Sequence, residues 1–199
     1  MLRAQKDVVY TLKVILIGPG GVGKTCLFNR YCFNSFNFNT EMTVGVNFHS
    51  TYMHLKERSS PPKSSNEKYV VNSIFDFGGQ ERFKPLIPKF VKGANGALLV
   101  FDSVSYASFN KLNYWYNLLT ENIRDINIPK ILVGAKSDLL AESPEGEIVS
   151  REAINRFIEK KNLNGFFRTS ALENYNVIEV FKELNRLMLQ HNKVEKYTV

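Results

Sequence analysis

The sequence predicts an α/β fold: a mostly parallel, six-stranded sheet with one antiparallel edge strand and helices on both faces. Three observations predict it. Continuous apolar runs recur at LKVILI (12–17), ALLVF (97–101) and KILV (130–133), and strands without polar alternation are those buried on both faces of a covered parallel sheet. Helical patterns lie between and after these runs: Phe109, Leu112, Trp115, Leu119 and Ile123 recur every three or four residues, as do Val177, Phe181, Leu184 and Met188. Finally, one stretch places strand after strand with no helix between, which makes a hairpin at the edge of the sheet.

Composition bounds the class. The 199 residues, 44% hydrophobic and 23% charged, suit one globular domain large enough to bury a core. No apolar run is long enough to span a bilayer, and MLRAQKDVVY lacks the apolar centre of a signal peptide; a cytoplasmic protein is expected. The net charge of +7 comes from scattered lysines and arginines without a dense basic run, so nucleic acid is not an expected partner. Weak attraction to an anionic membrane surface or an acidic partner remains open to it. His49, His54 and His191 have no metal-ligand spacing. Cys26 and Cys32 fall on one predicted helix without facing each other, so reduced thiols are expected.

In chain order, residues 1–9 are expected to be a flexible N-terminal segment, 10–192 the folded domain and 193–199 a short tail. The first apolar strand ends in a glycine loop that opens a helix. VGVNFHSTY (44–52) alternates apolar and polar, as a half-exposed edge strand does, and YVVNSIFD (69–76) follows as its hairpin partner. Between them KERSSPPKSSNEK (56–68) is polar, holds Pro61 and Pro62, and is long for a hairpin, so a mobile surface loop is expected. After the strand at 130–133, Ile154, Phe157 and Ile158 begin a shorter helix with Ser150 as N-cap. The aromatic stripes read as core packing.

GPGGVGKT (18–25) matches G-x-x-x-x-G-K-[ST] between a strand and a helix. Glycines let successive backbone N–H groups turn inward around phosphate oxygens, and the helix N-terminus adds partial positive charge. Lys24 would reach the β- and γ-phosphates, and the Thr25 hydroxyl would ligate Mg²⁺. This loop alone does not choose between ATP and GTP. DFGGQE (76–81) closes the second hairpin strand on the same rim of the sheet. Asp76 there can hold a Mg²⁺ water, Gly79 can bring its backbone N–H to the γ-phosphate, and Gln80 can orient the attacking water.

With these residues the chain resembles a small GTPase of the Ras superfamily, and within it the Rab branch. The resemblance is carried by GPGGVGKTCLFNRY (18–31), TVGVNF (43–48), DFGGQERF (76–83), KGANGALLVFD (92–102), VGAKSDL (133–139) and TSALENYNV (169–177), in that order over nearly the whole chain. It implies a P-loop NTPase G domain and a Mg²⁺-dependent GTPase that binds GTP or GDP. Thr43 would be the switch I threonine that ligates Mg²⁺ and senses the γ-phosphate; Thr40 competes but lacks the following VG. Metal ligands would then be Thr25, Thr43 and Asp76, and the catalytic residues Gln80, Lys24 and Thr43. Gly20, Gly21, Val22, Gly23 and Cys26 would line the phosphates, Val22 and Cys26 through backbone N–H groups. Phe36 would pack against the guanine, although from composition a core position suits it nearly as well.

The resemblance further implies slow hydrolysis, a switch read by effectors through switch I and switch II, and a partner that speeds turnover with an arginine near Gly20 and Gly21. An exchange factor would complete the cycle. The competing reading is a guanine-nucleotide scaffold that turns over little or no GTP. In QERFKPLIPKF (80–90), Pro85 and Pro88 predict a short or distorted helix from about Pro85, while Gly78 loosens the loop before it. HNKVEKYTV has none of the C-terminal cysteines usual in the Rab branch, and Leu2 follows Met1, so no stable lipid anchor is expected, at most recruitment to membranes.

The base-reading loops depart from the family pattern. Asn-Lys-x-Asp becomes Ala135, Lys136, Ser137 and Asp138. Asp138 can still accept from guanine N1–H and the 2-amino group, which adenine lacks, and the Lys136 stem can cover the ring. In RTSALEN, Arg168 and Leu172 stand where the family favours Glu and Lys. Ser170, Ala171 and Leu172 remain the expected base contacts, with the Ala171 N–H on guanine O6.

Overall fold

β1 (Asp7–Ile17) is the strand around which the sheet is assembled. The structure, a computed structural model, describes residues 6–39, 41–57, 67–79, 85, 87–194 and 196–199. The sheet runs β6–β5–β4–β1–β3–β2–β7, with β2 at Val46–Glu57, β3 at Lys68–Phe77, β4 at Gly96–Asp102, β5 at Lys130–Ala135, β6 at Phe166–Arg168 and β7 at Tyr197–Thr198. β1 pairs in parallel with β3 and β4, β4 with β5, and β5 with β6. β2 is antiparallel to β3, so the hairpin stands where the sequence places it.

Two ends of the chain join the sheet further than their sequence suggests. β1 begins within the segment expected to be flexible, because Asp7 pairs in register with Lys68 and their side chains form an ion pair. The tail adds a seventh strand: Tyr197 and Thr198 pair antiparallel with Glu57 and Lys56. Val194, Tyr197 and Val199 pack on the core there, and the Lys196 ammonium lies 3.3 Å from Glu57. The expected loop at 56–68 falls mostly outside the described residues.

Alternation along β1 divides the interior in two. Leu12, Val14 and Leu16 face α1 (Lys24–Phe33) and α6 (Val177–His191). Ile15 and Ile17 face the layer of α2 (Ile87–Phe90), α3 (Tyr106–Asn110), α4 (Leu112–Thr120) and α5 (Arg151–Lys161). The single helix predicted from Phe109 onward is two helices, joined at Lys111. Lys111 keeps helical dihedrals (φ −73, ψ −13), so Phe109, Leu112, Trp115 and Leu119 still point into one core; Ile123 lies past the end of α4 yet packs against it. Trp115 is 2% exposed. Ser150 caps α5, its hydroxyl accepting from the Ala153 N–H at 3.2 Å. α2 is four residues long, and Pro88 occupies its first turn, where a missing N–H costs nothing; the expected start near Pro85 falls partly outside the described residues.

The parallel strands β1, β3, β5 and β6 end on the same rim, which brings the segments after Ile17, Phe77, Ala135 and Arg168 together. No helix among the described residues is long and apolar enough to cross a membrane.

Candidate functional site

A cavity of about 380 Å³ opens on that rim. Gly20, Gly21, Gly23, Lys24, Thr25 and Cys26 line one end. Gly23 holds φ +100, a conformation that L side chains rarely adopt, and directly precedes α1, so the loop turns into the helix without strain. Lys24 is 4% exposed and folds back along its own loop, donating to the Gly18 carbonyl at 2.8 Å and the Pro19 carbonyl at 2.6 Å. Burial draws its pKa down from 10.5 to about 8, with the Asp76 carboxylate opposing. A buried ammonium with only two carbonyl partners suits a site that expects anionic oxygens.

Beside it Thr25, Thr43 and Asp76 converge from α1, the segment before β2, and β3. The Thr25 hydroxyl donates to Asp76 Oδ2 at 2.7 Å and lies 2.6 Å from the Thr43 hydroxyl. Its single proton is committed to the carboxylate, so Thr43 is the donor in the second contact. Asn47 Nδ2 adds a bond to Asp76 Oδ2 at 3.3 Å. Asp76 is fully buried, and burial raises its carboxyl pKa against the opposing pull of Thr25, Lys24 and Asn47. Its Oδ1 is buried with no hydrogen-bond partner. One carboxylate and two hydroxyls form a hard oxygen set, the kind that holds Mg²⁺ with several waters retained, and the unpartnered Oδ1 is the atom such a water would satisfy. Among the described residues no group of three or more His, Cys, Asp or Glu offers another metal site.

Gly79 closes this end. A Cβ there would stand 2.2 Å from the Gly20 nitrogen and 2.3 Å from the Pro19 carbonyl carbon, so only glycine lets the β3 exit lie against the phosphate loop. The Gly78 N–H donates to the Gly45 carbonyl at 2.9 Å, which ties this segment to the one carrying Thr43. Gln80 and Thr40 lie outside the described residues.

The other end is lined by Phe36, Ala135, Lys136, Asp138, Ala171 and Leu172. Lys136 adopts the left-handed conformation (φ 59, ψ 42), and its ammonium pairs with Asp102 Oδ2 at 2.7 Å. Asp138 sits in the single helical turn Ser137–Leu139 that follows. Ala135 is 5% exposed, and the buried hydroxyls of Ser103 and Thr169, on the segments hydrogen-bonded to either side of it, have no partner.

Most of the residues expected at a nucleotide thus surround one cavity. Val22 is buried with its side chain in the core of the α1 face, in keeping with an expected role through its backbone. Ser170 lies behind the wall: it is fully buried, its hydroxyl accepts from the Glu173 N–H at 3.0 Å, and its N–H donates to the Tyr175 carbonyl at 3.1 Å. Sequence reasoning missed Asn47 and Asp102. Asn47 is one polar position in an alternating strand and gives no spacing signal. Asp102 does give one, a carboxylate ending an apolar strand on the same rim as Asp76.

The Ras family profile matches residues 13–190. The chain is 35% identical over 182 residues to the Ras-related protein RABA1f of Arabidopsis thaliana, covering 92% of this chain and 76% of that one. The Ras-related protein Rab11B of Nicotiana tabacum is likewise 35% identical over the same shares. The Ras-related protein RAB1BV of Beta vulgaris is 34% identical over 184 residues, 92% of this chain and 79% of that one.

Proposed function

The chain belongs to the Ras family and is a Rab-like small GTPase, a GTP hydrolase, and on that premise we propose that it is a slow, Mg²⁺-dependent timer whose GTP state is read by effector proteins through switch I and switch II. The observation that carries the reading is the joining of Thr43 and Gly79 to one phosphate end: Thr43 through Thr25 and Asp76, Gly79 against Pro19 and Gly20. Family members bind GTP or GDP, generally with Mg²⁺. Here Thr25, Thr43 and Asp76 would hold the ion, which would neutralise charge on the β- and γ-phosphate oxygens when bound.

The chain's own residues supply the rest. Lys24, released from the Gly18 and Pro19 carbonyls, pairs with phosphate oxygens, which favours the ammonium form that burial disfavours. Gln80 orients the attacking water. Thr43 and Gly79 sense whether a γ-phosphate is present, and its loss frees both segments. Among the described residues no arginine lines the cavity, so intrinsic turnover is slow, and an activating partner's arginine accelerates it by about three to five orders of magnitude. Effectors meet an aromatic surface between the switches, where the exposed Phe48 lies 4.9 Å from the half-buried Phe75, and Phe75 lies 6.3 Å from the exposed Phe90. Asp138 selects guanine over adenine.

Single-turnover hydrolysis tests the reading. The wild-type chain hydrolyses bound GTP slowly, and Gln80→Leu slows it further while GTP binding persists. Tight GTP binding with no turnover, alone or with any activating protein, instead supports the scaffold reading; tight ATP binding without GDP binding overturns both.

A further inference from the structure

We infer that Arg30 is a positioning residue for the base of the bound nucleotide, acting through the backbone carbonyls that it grips. The inference rests on the guanine-nucleotide reading above. Arg30 lies in the last turn of α1, the helix whose first turn carries Lys24 and Thr25. Its Nε–H donates to the Ala171 carbonyl at 2.7 Å, and Nη2 reaches the Leu172 carbonyl at 3.3 Å. Nη1 donates to the Asn34 carbonyl at 3.1 Å and to its side-chain oxygen at 3.2 Å.

Ala171, Leu172 and Phe36 line the base end of the cavity, and Arg30 does not. The guanidinium therefore holds this end from behind. One planar fork fastens two walls: the loop after β6 directly, and Phe36 through Asn34, the left-handed residue (φ 50) that ends α1 two positions earlier. Carbonyl and N–H point opposite ways across a trans peptide. Holding the Ala171 carbonyl toward Arg30 thus turns the Leu172 N–H away from it. This matters in a site whose side chains give the base little. Ala135 and Leu172 offer it no hydrogen bond, so base recognition falls on Asp138 and on backbone groups whose direction Arg30 sets.

Arg30 makes none of its bonds to the phosphate loop, so its loss should be felt by the base and spare the phosphates. Competition of GDP and of ADP against fluorescent GDP, with the full chain and Mg²⁺, separates the two. A hydrogen bond to a charged group has enough strength that Arg30→Ala weakens GDP by about tenfold or more, while ADP, which relies on phosphate contacts, keeps its weak affinity. Arg30→Lys keeps charge and stem but loses the fork, so the GDP-to-ADP ratio recovers only in part. Equal weakening of GDP and ADP, or an unchanged ratio in both variants, overturns the proposal and leaves the guanine reading standing. A wild-type chain that does not prefer GDP overturns the guanine reading and the proposal with it.

Discussion

Replacing Ala135 with asparagine tests how the base end is held. Ala135 is 5% exposed, and its Cβ lies 3.5 Å from where a Cβ on Gly23 would stand. With no Cβ on Gly23, the added amide can extend toward the phosphate loop or along the cavity wall. Thr169 flanks it there, its N–H bonded to the Gly134 carbonyl at 2.9 Å and its carbonyl accepting from the Ser137 N–H at 3.1 Å. The Thr169 hydroxyl is buried without a partner, a condition that costs about 1–3 kcal/mol, whereas a made hydrogen bond contributes about 0.5–1.5 kcal/mol net. Ala135→Asn should therefore raise the melting temperature by about 2–4 °C per kcal/mol gained. With the amide's remaining capacity turned to the base or the phosphate loop, GDP should bind up to about tenfold more tightly. The measurements are thermal melts and the release of fluorescent GDP chased by excess GDP at fixed Mg²⁺. Ala135→Val, which adds volume without polarity, should do neither. Unchanged or weaker GDP affinity in Ala135→Asn would refute the reasoning and show that backbone contacts already compensate.

Two further outcomes follow from the phosphate end. Gly79→Ala places a methyl 2.2 Å from the Gly20 nitrogen, so it should retain GDP binding but slow single-turnover GTP hydrolysis by about tenfold or more, each factor of ten being 1.36 kcal/mol of barrier. Lys24 has a folded pKa of about 8 against 10.5, so between those values the unfolded chain binds more protons. Stability of protein stripped of nucleotide should then rise with pH across that window, and the contribution should vanish in Lys24→Met when unfolding is followed by denaturant titration.

Much of the architecture could be read from local pattern. The apolar runs, the hairpin alternation and the Ser150 cap each rest on a few adjacent residues, and the glycine-lysine-threonine spacing dictates its own turn. Long-range features could not be read this way. Nothing near Tyr197 announces pairing with Glu57, because that strand exists only once α6 has carried the tail back to the β2 edge. The link between Arg30 and Ala171 joins residues far apart in sequence through a backbone carbonyl, and carbonyls carry no residue identity. The departure at Ala135 was visible in the sequence, but the unpartnered Thr169 hydroxyl on the neighbouring segment came to light only with the packing of the strand ends.

The position of Trp115 has an optical consequence. It is the only tryptophan, sealed at 2% exposure in the core between the sheet and α4, with Tyr114 edge-on at 5.8 Å, and it is not among the residues lining the nucleotide cavity. Its emission should be blue-shifted and nearly indifferent to whether GDP or GTP is bound, while reporting loss of that core with a large red shift. Intrinsic fluorescence in this chain is thus a clock for unfolding, and nucleotide occupancy must be followed by a dye carried on the nucleotide itself.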